Sequence, residues 1–192
     1  MLSRDEKLQR MRAKSSPTHT KSYSPTESNC LTMRTALRFD KVKQEKIKFL
    51  AQNKYIVLAT SLENRVTART VRYVSEGLNI IIFTLAHSKK VVQIKANQKV
   101  ALCLNNVSIE GTAELIGRRK KEGKRLEGII KKQFPGYLEW WLNRCPELAI
   151  FVKVVPNRIV SWIASDEKPL VEYLDLQKKK AFLAIPWEKQ EY

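Results

Sequence analysis

A serine and two lysines stand where an apolar strand gives way to a helical pattern. In the sequence IIIFTLAHSKKVVQIKA the strand ends at Thr84, Ser88 is a typical helix N-cap, and Lys89 and Lys90 fall in the first helical turn. Lysines are unfavourable there because a helix N-terminus already carries partial positive charge. A bound phosphate would remove this conflict by accepting hydrogen bonds from free backbone N–H groups, a hydroxyl and two ammonium groups. The alternative is that both lysines are solvent-exposed and merely tolerated.

Arg69 is a second candidate for the same site. It lies within VTARTVRY, in the strand that precedes the one leading to Thr84. If consecutive strands pair in a meander, Arg69 comes close to the loop 84–90. A guanidinium is well suited to bidentate contacts with a phosphate. The alternative is an outward-facing arginine on a half-exposed strand.

The elements that must position these residues are mostly strands. Hydrophobic periodicity predicts helices at 41–53, 88–97, 118–133 and 137–143, and strands at 55–61, 65–75, 78–84, 99–105, 107–116, 148–155 and 158–163. Short turns, such as Glu63 with Asn64 and Asn105 with Asn106, are typical of antiparallel neighbours. The predicted fold class is therefore mainly β with flanking helices (α+β), in which an antiparallel sheet closes into a small barrel.

Composition narrows the classes of protein without selecting one. The chain has 36 Lys and Arg against 19 Asp and Glu, and its net charge of +17 favours anionic partners such as nucleotides, phosphorylated cofactors, nucleic acid or anionic lipid. Cys30, Cys103 and Cys145 are far apart, which suggests neither a disulfide framework nor a zinc site. No apolar run approaches the ~20 residues that span a bilayer, and the N-terminus does not resemble a secretory signal. We therefore expect a cytoplasmic protein without a membrane span.

Two segments raise separate hypotheses. Residues 1–40 are rich in Ser, Thr, Pro and Lys and are predicted to be a mostly disordered basic tail, with Met33 as a candidate true start. The segment 118–132 packs many cations together and is followed by Tyr137, Trp140 and Trp141. Cations mixed with aromatics are typical of single-strand nucleic-acid binders. A solvated helix face followed by core aromatics is the alternative.

The stretch 55–111 resembles the FMN-binding split β-barrel family typified by pyridoxamine 5'-phosphate oxidase. The matching pieces, in the family's order and with similar spacings, are YIVLATS, RTVRY, IIFT, HSKK, IKANQKVAL and IEGTAEL. A looser likeness continues to Ile163. The resemblance implies a split-barrel flavin-binding domain over 41–165, with 166–192 as a C-terminal extension packing on the barrel or on a dimer partner.

The resemblance also implies roles for individual residues. Arg69 and Lys90 match the family's phosphate-binding Arg and Lys, and Ser88 and Lys89 lie beside them. Thr70, Val71 and Arg72 match the strand that lies along the isoalloxazine ring, and Phe83 with Thr84 matches the strand end that contacts the flavin. Family members are homodimers with flavin at the subunit interface. FMN is thus the expected cofactor, with the deazaflavin coenzyme as the alternative because it carries phosphate too.

The chain also departs from the family pattern. Glu63, Asn64 and Arg65 stand where the first turn often has Gly, and Gln98 stands where Pro is frequent. The C-terminal Arg/His segment that binds pyridoxal phosphate in the true oxidase is not recognisable after Val155, so vitamin B6 oxidation is not expected. The function implied is an FMN-dependent oxidoreductase acting on an unknown small molecule. The alternatives are nucleic-acid binding through 118–132 or a deazaflavin- or haem-binding relative.

Overall fold

Strands dominate the part of the chain that the structure describes. The computed structural model describes residues 34–163 and 169–186. Ten strands, four α-helices and a short 3₁₀ turn at Pro146–Leu148 lie within these ranges. The strands are β1 (Thr35–Leu37), β2 (Tyr55–Leu62), β3 (Arg65–Arg72), β4 (Val74–Glu76), β5 (Asn79–Leu85), β6 (Lys99–Leu104), β7 (Val107–Gly117), β8 (Ala149–Ile163), β9 (Leu170–Asp175) and β10 (Lys180–Ala184). The helices are α1 (Phe39–Gln52), α2 (Lys89–Ala96), α3 (Lys121–Gln133) and α4 (Tyr137–Arg144).

These strands form one antiparallel sheet that curls without closing. Its order is β1-β10-β9-β8-β7-β6-β2-β3, while β5 pairs with β8 and carries β4 on its other side. No described ladder joins β3 to β5, so the barrel stays open between them. The expected α+β class and the antiparallel split β-barrel that the resemblance implied are confirmed, whereas closure of the sheet into a small barrel was a wrong prediction.

The gap between β3 and β5 shows that the predicted meander of consecutively paired strands was wrong. β2 and β3 pair along their whole length, and the turn between them has positive φ at both Glu63 and Asn64, as a two-residue type I′ hairpin requires. The predicted strand 65–75, however, divides after Arg72, and β4 leaves β3 to pair with β5. β3 is therefore an edge strand among those described, and alternate backbone amide groups along it face the gap.

β8 explains how the sheet splits. The expected pair of strands on either side of Pro156 and Asn157 is one continuous strand, so that prediction was wrong. Before Pro156 it lies between β5 and β7, and from Arg158 onward between β9 and β7. The register against β7 shifts here, since Glu110 pairs with Arg158 and Gly111 with Pro156. A bulge accommodates proline, which has no N–H for the ladder.

Two hydrophobic clusters fill the structure around this sheet. The larger one lies inside the barrel, where Leu58, Ile80 and Ile109 are fully buried, and α1 covers it with Val42 and Leu50. The second lies between α3, α4 and the outer side of β5 and β8. Its buried members are Val74, Ile81, Phe83, Ile116, Leu126, Ile130, Phe134, Leu138, Leu142, Ala149 and Phe151. Two helices are thereby fixed beside the open edge of the barrel.

The ends of the described chain extend the sheet. β9 and β10 form a hairpin on β8, and β1 pairs with β10. Since β1 and the start of α1 precede residue 41, ordered structure begins earlier than the predicted boundary of the tail. The tail hypothesis for residues 1–33 and the question of Met33 as a start lie outside the described residues. Within the described ranges, none of the helices combines the length and apolar character needed to cross a membrane.

Candidate functional site

A cleft of about 350 Å³ occupies the gap between β3 and β5. Its walls are the edge of β3, the end of β5, the first turn of α2 and one face of α4. It gathers eight of the nine predicted site residues: Arg69, Thr70, Val71, Arg72, Phe83, Thr84, Ser88 and Lys90. Lys89 is exposed and does not line the cleft. The cleft is also lined by four residues that were not predicted for the site: Leu85, His87, Tyr137 and Trp141.

One end of the cleft is built from hydroxyls and an ammonium group. Lys90 Nζ donates to Thr84 Oγ1 at 2.8 Å, and Thr84 Oγ1 lies 3.2 Å from Ser88 Oγ. Ser88 is the N-cap of α2 as predicted, but its side chain makes no capping hydrogen bond. The first backbone N–H groups of a helix have no intrahelical acceptor, so the start of α2 offers donors to a ligand. The arrangement suits an anion.

Arg69 reaches the same end of the cleft from the inner face of β3. Its Nη1 donates to Thr60 Oγ1 at 2.6 Å and to the Leu58 carbonyl at 3.3 Å, and its Nη2 donates to Gln93 Oε1 at 3.0 Å. A guanidinium has five N–H donors, so Nε–H and one Nη2–H have no acceptor among the described residues. These two donors lie on one edge of the guanidinium, as bidentate binding of a phosphate requires.

Gln93 is a site residue that sequence reasoning missed. It lies on α2, is 2% exposed, and accepts hydrogen bonds from both Arg69 and Thr60 while its Nε2 donates to Thr67 Oγ1 at 2.7 Å. Since arginine can only donate, the amide oxygen must face Arg69, which settles the orientation of the side chain. A polar residue in the apolar stripe Val91–Ile94 was the available sequence signal.

The electrostatics of this end are those of an anion site. Burial lowers the pKa of Lys90, and the nearby Arg69 charge lowers it further. Burial also lowers the pKa of Arg69. Among the described residues no carboxylate forms an ion pair with either side chain, although other cations such as Arg118 and Arg125 have acidic partners. Two desolvated cations without a protein counter-ion are favourable together when a ligand supplies negative charge.

The other end of the cleft is aromatic. The Arg72 guanidinium carbon lies 4.3 Å from the ring centroid of Tyr137 and 5.0 Å from that of Phe134, and Nη2 donates to the Tyr55 hydroxyl at 2.7 Å. Cation–π contacts of this kind hold Arg72 in place. Trp141 continues the aromatic wall on α4. The cleft thus combines a polar, cationic end with a flat apolar wall.

The basic segment 118–132 mostly forms α3 and is extensively ion-paired. Arg118 and Lys131 both contact Glu127, at 2.8 and 3.0 Å, and Arg125 bridges Glu76 and Glu122. Arg119 pairs with Glu147. The remaining lysines of the segment, Lys120, Lys121, Lys124 and Lys132, are exposed. Half of its cations therefore serve contacts within the chain, and Tyr137 and Trp141 face the cleft.

Fold and site together define an antiparallel split barrel with a cationic cleft at its open edge. The family model of pyridoxamine 5'-phosphate oxidase matches residues 42–149, which is more than half of the 192-residue chain. The chain therefore belongs to the pyridoxamine 5'-phosphate oxidase family. The matched region runs from α1 to the start of β8 and contains every residue predicted for the site. No curated protein matches the chain at a significant level.

Solved structures show the same fold at low sequence identity. A pyridoxamine 5'-phosphate oxidase-related, FMN-binding protein from Nostoc punctiforme is 17% identical, with a TM-score of 0.51 over 76% of this chain and 94% of its own. General Stress Protein 26 from Bacillus anthracis is 21% identical, with a TM-score of 0.50 over 75% and 98%. ChuZ from Campylobacter jejuni is 12% identical, with a TM-score of 0.60 over 81% and 68%. At these identities the likeness establishes the fold alone.

Proposed function

We propose that this chain binds FMN in the cleft between β3 and β5 and acts as an FMN-dependent oxidoreductase on a small molecule. The observation that carries the proposal is the convergence of Arg69 and Lys90, two desolvated cations with no acidic partner among the described residues, at the N-terminus of α2. A phosphate group satisfies that arrangement. The FMN-binding relative from Nostoc punctiforme, which has the same fold, supports the choice of ligand.

The cleft residues fit the two chemical parts of FMN. Arg69, Lys90, Ser88 and Thr84 would hold the phosphate. Val71, Phe83, Tyr137 and Trp141 would provide apolar and aromatic surface for the ring system, beside the free edge of β3. Backbone groups on that edge can donate and accept hydrogen bonds, which flat heterocycles with carbonyl and imino groups require.

The redox chemistry would be that of the flavin, which exchanges electrons and protons with substrates when bound. This chain would bind the phosphate, orient the ring and exclude water from one side of it. Arg72 is held by aromatic rings at the cleft wall, so its positive charge stays beside the ring site. His87 is the one histidine among the cleft-lining residues and is exposed, so it is accessible to a substrate.

The outward face of β2, β3 and β6 supports a homodimer as the functional unit. Val57 and Val66 are 37% and 70% exposed on it, and Thr70, on the same face, also lines the cleft. Ala68, Ala101 and Cys103 continue the face and are exposed as well. A continuous exposed apolar patch is typical of a protein–protein contact. We propose that a second copy covers it and lies close to the flavin.

The test is a spectrum followed by a titration. Protein purified under gentle conditions is expected to show the visible bands of oxidised flavin, or to acquire them on addition of FMN with quenching of flavin fluorescence. Riboflavin, which lacks the phosphate, is expected to bind more weakly. Preference for the deazaflavin coenzyme over FMN would assign the alternative cofactor. A colourless protein that binds neither would contradict the proposal.

Nucleic-acid binding through 118–132 has less support in the structure. Four of its cations form ion pairs within the chain. Of the three aromatic residues expected to assist them, Tyr137 and Trp141 line the cleft, and Trp140 alone is exposed, at 50%. Titration of a labelled single-stranded oligonucleotide at low and moderate salt tests this alternative, since phosphate-backbone binding falls steeply with salt. Tight, salt-sensitive binding that FMN does not displace would favour it.

A further inference from the structure

Gln93 is the buried centre of a polar network that connects three elements around the cleft. Its side-chain oxygen accepts from Arg69 on β3 and from Thr60 on β2, at 3.0 and 2.6 Å, and its side-chain nitrogen donates to Thr67, two residues before Arg69 on β3. The hydrogen-bonding capacity of the Gln93 oxygen is filled by these two donors. No other residue of α2 contacts Arg69 by a described hydrogen bond.

This network fixes the direction of the Arg69 guanidinium. Thr60 and the Leu58 carbonyl occupy Nη1, and Gln93 occupies one of the two Nη2–H groups. Nε–H and the other Nη2–H are left on the adjacent edge, without an acceptor among the described residues. Without the acceptor on Gln93, the guanidinium could turn about its long side chain, and a bidentate contact to an anion would cost additional ordering entropy.

We infer that Gln93 is a positioning residue for phosphate: it orients Arg69 toward the anion and ties that arginine to the helix that supplies Ser88 and Lys90. Gln93 itself does not line the cleft, and its effect on the ligand passes through Arg69. The inference rests on the proposed binding of FMN and adds a residue that determines the preference for a phosphorylated flavin over riboflavin.

The experiment compares FMN with riboflavin on matched variants. Gln93→Leu removes both polar groups at similar volume and is expected to weaken FMN roughly tenfold, the effect of one hydrogen bond to a charged group. Riboflavin affinity should change less than threefold, about the scale of a neutral contact. Ile94→Val, at the neighbouring buried position of α2, is the control and should affect the two ligands equally.

A double-mutant cycle tests whether Gln93 acts through Arg69. In an Arg69→Ala background, Gln93→Leu should cause no further selective loss of FMN affinity, because the guanidinium it orients is gone. If Gln93→Leu does not fold, Thr67→Val serves in its place, since Thr67 contacts Gln93 at 2.7 Å and makes no described contact with Arg69. Its selective effect should be smaller and of the same sign.

The outcomes separate this inference from the proposed function. Equal losses for FMN and riboflavin, or a selective loss that persists without Arg69, would overturn the positioning role while FMN binding stands. Unchanged FMN affinity in Gln93→Leu would do the same. A wild-type protein that binds no FMN would contradict both the proposed function and this inference.

Discussion

Arg69 Nη2 donates to Gln93 Oε1 across 3.0 Å, although the two residues are 24 positions apart. The bond joins an edge strand to the helix that begins at the loop 84–90, where we propose that the phosphate binds. β3 and β5 do not pair, so Arg69 is brought to this loop by the packing of α2 on β2 and β3 and not by a strand ladder. Arg69 and Lys90 therefore lie in one cleft, as predicted, but the packing of α2 brings them together and not the pairing of β3 with β5.

Removing either cation should weaken FMN much more than removing an exposed lysine. In the proposed site, Arg69→Ala and Lys90→Ala would each remove charge-assisted hydrogen bonds to the phosphate, for an expected loss of roughly 10- to 100-fold in affinity. Lys120→Ala is the matched control, because Lys120 is exposed and remote from the cleft lining. Fluorescence titration measures all three. Equal effects would indicate general charge attraction instead of a phosphate site.

The buried charge of Lys90 should lower the free energy of unfolding of the ligand-free protein. Its folded-state pKa is lowered, first by burial and second by the charge on Arg69, so the unfolded chain binds more protons between that pKa and the ordinary lysine value. Stability should therefore rise as pH increases through this interval. Lys90→Met should be more stable than wild type at neutral pH and should lack this rise. Urea unfolding at neutral and alkaline pH is the measurement.

The control for this prediction is Lys89→Met, at the exposed neighbouring position. It should leave stability and its pH dependence close to wild type, because an exposed ammonium group remains hydrated in both states. Urea unfolding in the presence of FMN should show that Lys90→Met loses most of the stabilisation that added FMN gives the wild-type protein. A Lys90→Met protein less stable than wild type would contradict the assignment of a desolvated, unpaired cation.

A charge on the outward face of β3 should disrupt the proposed dimer. Val66 is 70% exposed, so Val66→Lys should not disturb the folded subunit. If a second copy covers this face, burial of the new ammonium group should favour the monomer. Light scattering coupled to size-exclusion chromatography measures the mass. Val92→Lys, at another exposed valine on α2, should leave the mass unchanged. A wild-type monomer would refute the prediction.

Gly111 should resist substitution while Gly128 should not. A Cβ on Gly111 would lie 2.7 Å from the Val155 carbonyl oxygen and 2.9 Å from Val154 Cγ1, where β7 and β8 cross the bulge. Gly111→Ala should lower the free energy of unfolding by roughly 1–3 kcal/mol. Gly128 lies within α3 with open space around it, so Gly128→Ala should raise that free energy by about 0.5–1 kcal/mol. Urea denaturation of both variants compares them, and equal changes would contradict the close approach.

Much of the fold could be predicted from local patterns in the sequence. Apolar and β-branched runs bounded by turn residues placed β2, β6 and β7 within a residue or two of their observed bounds. Positive φ at Asn105 accompanies the predicted Asn-Asn hairpin. Local patterns gave a wrong prediction at Pro156, where two strands were expected in place of one. A proline inside a long strand resembles a turn unless the bulge opposite Gly111 is known.

Some features of the candidate site could also be predicted from the sequence, and others could not. The conflict of Lys89 and Lys90 with the helix dipole is visible in the sequence, and so is the suitability of Arg69 for phosphate. Sequence could not show that Lys90 turns into the cleft while Lys89 stays exposed, because that depends on how α2 is rotated against the sheet. Tyr137 and Trp141 lie about seventy residues beyond Arg69 and reach the cleft through packing of α4.

The amino-acid sequence by itself therefore determined an antiparallel, helix-flanked fold and a cationic loop suited to phosphate, because periodicity and helix-end chemistry are local properties. The tertiary structure decided where the barrel opens, which lysine faces the gap, and that a buried glutamine holds Arg69. These features depend on contacts between residues distant in the chain. Their physical reason is that desolvation and hydrogen-bond partners are set by packing, which no single segment specifies.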